Sequence, residues 1–418
     1  MNYVHAEQLI VGGGIIGLCT AYYLVEKGCN VTIIDKGPKI EAASHGNCGL
    51  ISPSHALPLN DLHLMKKALV WILKSNSPFY IKPRLDPSLL KWFVNFTLKT
   101  NNTQIHKSMI GRYQLMESSK KLYQEMFIKH NIDCGWKEEG ILFVCKKEST
   151  FNHMAKNIGY TKREIGLNAK SFVGSELIKK EPAIKEDIYG GWLYEMDGHL
   201  KPDKLISELT QILIDKGVKF LNDIEVQKID TTNDKVLGVS LENHRIKSDN
   251  LIICSGALSP KLLKTLEINI PIVPGKGYSI TMDSPVGAPK IPCILQERKT
   301  VATPWGNKGY RLGGTMEFSG YQKGLNRRRL EALKTSSEEY LINPYNNNII
   351  EEWWGWRSMT PDGLPIISRS RKYSNLILGC GHNMLGMSMG SATGKLISEI
   401  IIGQRLHLDS SFYSIERF

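Results

Sequence analysis

The sequence predicts an α/β chain built on a Rossmann-like parallel sheet, and three stretches carry that prediction. QLIVGGGIIGLCTAYYLVEKGCNVTIID, Gln8 to Asp35, reads as strand, glycine-rich turn, helix and second strand. NLIICSGALSP, Asn250 to Pro260, is a buried strand ending in Ser-Gly-Ala. NLILGCGHNMLGMSMGSATGKLISEIIIG, Asn375 to Gly403, repeats the strand, glycine turn and helix, with Leu396, Ile397, Ile400 and Ile401 at helical spacing.

In the first unit Gly12, Gly14 and Gly17 form GxGxxG directly after the apolar strand. The glycines permit the tight turn, close backbone approach to a pyrophosphate, and close helix packing. The helix then opens at Ile15 and Ile16 with its amides facing the phosphates. Asp35, followed by Lys36, ends the second strand, where a carboxylate accepts ribose hydroxyls. This pattern predicts a dinucleotide, and by itself it does not separate NAD from FAD.

The other two units bear on that choice. Ser255 and Gly256 would return the backbone beside the phosphates from a distant part of the chain. The last helix starts around Leu385, Gly386, Met387 and Ser388, and a helix N-terminus stabilises negative charge. A flavin gains such charge on reduction and a nicotinamide does not, so the second helix start favours FAD.

A chain of 418 residues, 42% hydrophobic and 22% charged, has material for roughly two to three domains. Its eight cysteines are scattered, with no CxxC pair and no cluster at zinc spacing, which favours a reducing cytosol and no metal. MNYVHAEQ lacks the features of an export signal, and Leu9 to Val25 falls short of the ~20 apolar residues of a membrane span. The net charge of +12 is dispersed in small clusters, which reads as a solvated surface, with nucleic-acid binding a minor alternative.

One stretch asks for a specific explanation. WWGWRSMTPDGLPII places Arg357 behind Trp353, Trp354 and Trp356 and ahead of a turn. An arginine held at the wall of an apolar cavity needs an anion to pair with, and its planar donors suit a carboxylate. Stacking on the tryptophans with an internal glutamate as partner is the competing reading.

Together these residues resemble the FAD-dependent D-amino-acid oxidase superfamily, and within it the bacterial D-amino-acid dehydrogenase small subunits. The resemblance spans nearly the whole chain. Beyond the glycine fingerprint it is carried by ASHGNCGLISPSHALP, SPFYIKPRLDPSLLKWFVNF, DGHLKPDKL, PGKGYSITM, WRSMTPDGLPII and GHNMLGMSM. It implies a Rossmann-like FAD-binding domain of the D-amino-acid oxidase/glutathione-reductase-2 type, with a substrate domain on a mixed, mostly antiparallel sheet. The FAD domain is expected to be discontinuous, from residues 1–82, 199–262 and 357–418, and the substrate domain from 83–198 and 263–356.

The resemblance also implies site residues. Asp35 looks like the ribose ligand, although glutamate is commoner there. Ser44, Asn47 and Gly49, with Leu50 and Ile51, look like the stretch along phosphates and flavin, and Val226 like the adenine contact. Arg357 matches the position that forks the substrate carboxylate. Tyr278 could present its hydroxyl to the substrate or pack in the sheet, and His55 and His382 could line the pocket or tune the flavin. With Gly355 and Trp356 where some relatives carry a tethering cysteine, noncovalent FAD is expected.

The implied reaction is oxidation of D-amino acids, including cyclic ones such as D-proline, with a quinone-type respiratory acceptor. Leu62 to Pro83 has Met65, Ala68, Leu69 and Ile72 on one helical face near Lys66, Lys67 and Lys74, a pattern suited to an anionic membrane surface or to the protein's own core. The expected location is therefore the cytoplasm, with peripheral contact at the inner membrane face. An oxygen-using glycine or sarcosine oxidase and a noncatalytic flavin electron-transfer subunit remain as rivals, and the oligomeric state is open.

Overall fold

A computed structural model of the chain describes residues 3–37, 42–58 and 79–418. The amphipathic segment expected from Leu62 lies outside the described residues as far as position 78, and only its last residues are seen.

The first sheet is built on β1 (Tyr3–Val11), flanked in parallel by β2 (Val31–Ile34) and by the strand Arg245–Ile253. Lys219–Leu221 extends it beyond β2. The last residues of Arg245–Ile253 also pair in parallel with Leu376–Cys380, which brings all three predicted units into one sheet. Helix α1 (Ile15–Val25) follows β1 and is buried on nearly every face, as its uncharged sequence requires.

Helix Gly386–Ile402 packs on α1 at a point where both chains come unusually close. A Cβ on Gly394 would stand 2.4 Å from the Cys19 carbonyl carbon, so only glycine fits that crossing. Helices Asn102–His130 and Pro202–Asp215 complete the layer, burying Leu115, Tyr123, Met126, Leu205 and Leu209 in the same core.

The second sheet is mixed and mainly antiparallel. Its strands run in the order Ile349–Met359, Val273–Met282, Tyr310–Phe318, Thr300–Pro304, Cys293–Leu295, Ile141–Cys145, Gly190–Tyr194 and Lys170–Val173. Two parallel pairings, Cys293–Leu295 with Ile141–Cys145 and Phe79–Ile81 with Tyr310–Phe318, interrupt the antiparallel pattern.

The expected segment boundaries need correction at three points. Phe79–Ile81, expected in the first domain, is a strand of the second sheet. Arg357, expected to begin a segment of the first domain, lies within the long strand Ile349–Met359. Asn102–His130, expected in the substrate domain, buries its apolar face against α1 and Gly386–Ile402, because that is where its leucines, methionines and aromatics find a matching surface.

Candidate active site

A cavity of about 650 Å³ runs between the two sheets. One end is bordered by Asp35, Lys36, Glu225 and Val226, the middle by Gly12, Gly14, Ile15, Ile16, Ser255 and Gly256, and the other end by His55, Thr315 and Arg357.

The glycine turn is a fitted cradle. A Cβ on Gly17 would meet the Gly12 carbonyl oxygen at 1.9 Å, and one on Gly12 the Cys254 oxygen at 2.5 Å. Gly12 also has φ 116°, which side-chain-bearing residues rarely adopt. Helix α1 thus starts hard against the turn, with Gly14 as a side-chain-free N-cap, and Gly14, Ile15 and Ile16 border the cavity. Asp35 braces the turn from β2, accepting the Gly13 N–H at 2.6 Å and the Gly37 N–H at 3.1 Å.

The following loop is held from both sides. Ser44 Oγ accepts the Ile15 N–H at 3.0 Å, and Asn47 Oδ1 accepts the Gly49 N–H at 2.7 Å. Gly49, at φ 73°, leaves no room for a Cβ against the Leu200 carbonyl. Buried Arg311 donates to the carbonyls of His45 and Asn47 at 2.8 and 2.6 Å, a support that sequence reading missed. Gly49, Ile51 and Gly17 stand behind the cavity wall, whereas Asn47 and Leu50 border it.

Helix Gly386–Ile402 directs its start at the same cavity, where Leu385, Gly386 and Met387 form the wall. Ser388 lies behind them; its hydroxyl donates to the Leu50 carbonyl at 2.8 Å and accepts the Ser52 N–H at 3.1 Å, fixing helix start to loop. His382 is buried, and its Nε2 lies 3.0 Å from Thr393 Oγ1. Burial pulls its pKa down to about 3, so it is a neutral brace for the turn.

Arg357 lies across the strand pair. Its guanidinium donates to the Thr315 carbonyl at 2.6 Å and the Gly314 carbonyl at 3.2 Å. Gly277 makes the space: a Cβ there would fall 2.3 Å from Arg357 Cζ. Burial lowers the pKa to about 10, which leaves the group a cation at neutral pH. Among the described residues no carboxylate forms an ion pair with it. Two bonds to carbonyls leave guanidinium N–H groups for a further acceptor.

The tryptophans divide by strand alternation. The Trp353 ring covers Gly46 and Gly355, where any Cβ would meet it at 1.9 and 2.2 Å, and so locks the loop to the Arg357 strand. Trp354 and Trp356 pack edge to face at 5.2 Å, with the Lys276 ammonium 4.7 Å from the Trp354 ring.

Two other expectations meet different surroundings. Tyr278 is buried and its hydroxyl donates to Glu317 Oε2 at 2.9 Å, so it is committed to a carboxylate within the sheet. Tyr278 also borders the cavity. His55 borders the cavity with its ring 5.3 Å from Phe143. Burial first, then Arg112 and Lys299, lowers its pKa to about 3.

Sequence reading did not single out Gly277, Gly314, Thr315 or Lys299. Thr315 has φ 52°, a left-handed conformation that a β-branched residue rarely takes, and it turns its carbonyl to Arg357. The alternating pattern of PGKGYSITM could have drawn attention to Gly277, the neighbour of Tyr278.

Comparisons with known proteins agree with this geometry. Residues 8–400 match the family described as "FAD dependent oxidoreductase". The D-amino acid dehydrogenase of Granulibacter bethesdensis is 30% identical over 417 residues, covering 98% of this chain and 99% of that protein. The D-amino acid dehydrogenase of Vibrio vulnificus is 29% identical, covering 96% of each chain. The glycine oxidase of Geobacillus kaustophilus superposes with a TM-score of 0.80 at 18% identity, covering 99% of each chain. With its glycine cradle, the Asp35 carboxylate beside it and a second helix start at the same cavity, the chain belongs to the FAD-dependent oxidoreductase family.

Proposed function

We propose that this protein oxidises D-amino acids and passes the electrons to a quinone-type acceptor. The observation that carries the reading is Arg357: a cation at the cavity wall, braced by two carbonyls, with donors left for a substrate carboxylate. The names of the relatives from Granulibacter and Vibrio support the D-amino-acid assignment.

The cradle residues Gly12, Gly14, Asp35 and Ser44 would hold the dinucleotide part of FAD, and the start of helix Gly386–Ile402 would face its ring. Bound FAD supplies a two-electron acceptor for the hydride leaving the substrate Cα, and the resulting imine hydrolyses to a 2-oxo acid and ammonia. Arg357 fixes the substrate by its carboxylate, which sets the direction of the Cα–H bond. Neutral His55 and the apolar side chains of Phe79, Val301, Met316 and Met384 keep water from the same end of the cavity. No carboxylate base is needed when the amine enters neutral.

A lipid-soluble acceptor accords with the helix Pro87–Leu98. It buries Leu89 and Trp92 against Met316 and Met359, directly behind the Arg357 end of the cavity, while Leu85, Leu90, Val94 and Leu98 are exposed. Lys82, Arg84, Lys91 and Lys99 lie among them in sequence, a composition suited to an anionic surface. No helix among the described residues is long and apolar enough to cross a membrane.

The test is anaerobic reduction of the FAD-loaded enzyme by D-amino acids in the wild type and in Arg357→Lys, which keeps the charge but removes the fork. A large rise in the substrate concentration for half-maximal reduction supports the reading. Unchanged reduction contradicts it. Stoichiometric hydrogen peroxide under air, with no reduction of a soluble quinone, would instead favour the oxidase rival.

A further inference from the structure

The strand Tyr310–Phe318 is irregular directly opposite Gly277. Its pairing with Val273–Met282 sets Tyr278 against Gly314 and Lys276 against Glu317, so that two residues, Thr315 and Met316, oppose the single Gly277. This is a β-bulge, a feature that re-aims side chains and is common beside active sites. Both bulged residues border the cavity, whereas successive residues of a regular strand face opposite sides of the sheet. Met316 Sδ lies 3.7 Å from Arg357 Nη1, and the Thr315 carbonyl accepts from the same nitrogen at 2.6 Å. The bulge thus gathers around the guanidinium.

Threonine is a costly choice at its centre. At φ 52° Thr315 is left-handed, a conformation that strains a β-branched side chain and that glycine adopts freely. The residue is only 6% exposed, and among the described residues its Oγ1 has no hydrogen-bond partner. A buried hydroxyl left unpaired carries a second cost. Neither cost is offset within the sheet. The hydroxyl and the carbonyl that braces Arg357 belong to one residue, so an anion on the guanidinium comes within a side chain's length of Oγ1.

We infer that the Thr315 hydroxyl is a second donor to the substrate carboxylate, forming with Arg357 a clamp of one guanidinium and one hydroxyl. The inference rests on the reading of Arg357 as the carboxylate clamp. It makes Thr315 a substrate-binding residue and the bulge the feature that positions it. It also supplies a reason for a hydroxyl where the backbone alone would favour glycine.

Equilibrium titration of the FAD-loaded enzyme with propionate and butyrate, unreactive carboxylates read from the shift of the visible flavin band, tests this apart from turnover. FAD content and thermal midpoint are measured in parallel. Thr315→Val keeps the shape of the side chain and removes the hydroxyl, and it should weaken both acids roughly tenfold or more, the scale of a hydrogen bond to a charged group. Thr315→Gly should do the same in a relaxed backbone, which separates loss of the hydroxyl from strain. Thr315→Ser keeps the donor and should bind both acids nearly as the wild type does.

Wild-type affinity in a FAD-loaded Thr315→Val or Thr315→Gly enzyme overturns the inference while leaving Arg357 as the clamp. A loss in Thr315→Ser equal to that in Thr315→Val also overturns it, since the methyl group would then be what matters. If both hydroxyl-free variants fail to hold FAD, Thr315 serves the bulge itself and the inference falls. If neither acid binds the wild type, the Arg357 reading falls and takes this inference with it.

Discussion

Replacing Gly277 with alanine places a methyl group where the Arg357 guanidinium now lies. The new Cβ would stand 2.3 Å from Cζ, 2.4 Å from Nη2 and 2.5 Å from Nη1. Ordinary contact is ~3.5 Å, so the guanidinium must retreat by roughly 1 Å. A displacement of that size in a group that orients the substrate costs on the order of 100-fold in rate, about 2.7 kcal/mol in the barrier. The backbone is undisturbed, because Gly277 sits in an ordinary strand conformation and alanine can adopt it. Stopped-flow reduction by D-amino acids, with FAD content and thermal midpoint measured in parallel, gives the answer. Retention of FAD and melting point with kcat/KM down roughly 100-fold is expected. Full activity in a folded Gly277→Ala enzyme would refute the claim that Arg357 must lie flat on that strand to work.

Three further outcomes follow from other parts of the molecule. Gly17→Ala puts a Cβ 1.9 Å from the Gly12 carbonyl oxygen, so the purified variant should lose FAD on gel filtration and appear colourless. Asp197 is fully buried against Ser54, whose N–H and hydroxyl both donate to it, and burial raises its pKa from 3.8 to about 7. Because the folded state holds this proton more tightly than the unfolded state, stability should fall as pH rises from about 4 to about 7. His55 and His382 act in the opposite direction: both are held neutral by burial, so stability falls as pH drops below 6.5. Asp197→Asn should remove the decline just below pH 7 and steepen the fall toward acid pH in thermal melts across pH 5 to 8, because the opposing contribution of Asp197 is gone. Finally, Leu90→Asp with Val94→Asp should weaken flotation with anionic vesicles at low salt while leaving the melting point nearly unchanged, since both side chains are exposed.

What the sequence disclosed depended on how local the signal was. The glycine turn, α1 and Asp35 were legible because about 28 consecutive residues form the whole unit and each glycine answers to a nearby contact. The start of helix Gly386–Ile402 was legible for the same reason. Arg357 stood out because a cation among tryptophans is chemically conspicuous, yet its setting is a product of strand register. Gly277 comes under the guanidinium only once Val273–Met282 pairs with Ile349–Met359. The Gly314 and Thr315 carbonyls arrive from a third strand, and Lys299 from a fourth.

The misplaced elements fail for a related reason. Asn102–His130 carries a clear apolar face, but nothing within it says which of two cores will receive that face. Tyr278 was recognised as part of an alternating strand, whereas its partner Glu317 is set by a register shift between Lys276 and Tyr278. Periodicity identifies such elements; long-range pairing decides what their side chains touch.

The central claim is that Arg357 holds an amino acid by its carboxylate in front of the flavin. Anaerobic titration of the visible flavin band with D- and L-amino acids, glycine, sarcosine and D-proline, in the wild type and in Arg357→Lys, tests it most directly. The account predicts that D-amino acids bleach the wild-type flavin, and that the substitution raises the concentration required by roughly 30-fold or more, the scale of a lost bidentate contact. A yellow wild-type protein that none of these compounds reduces, or bleaching that is the same in both proteins, would contradict it.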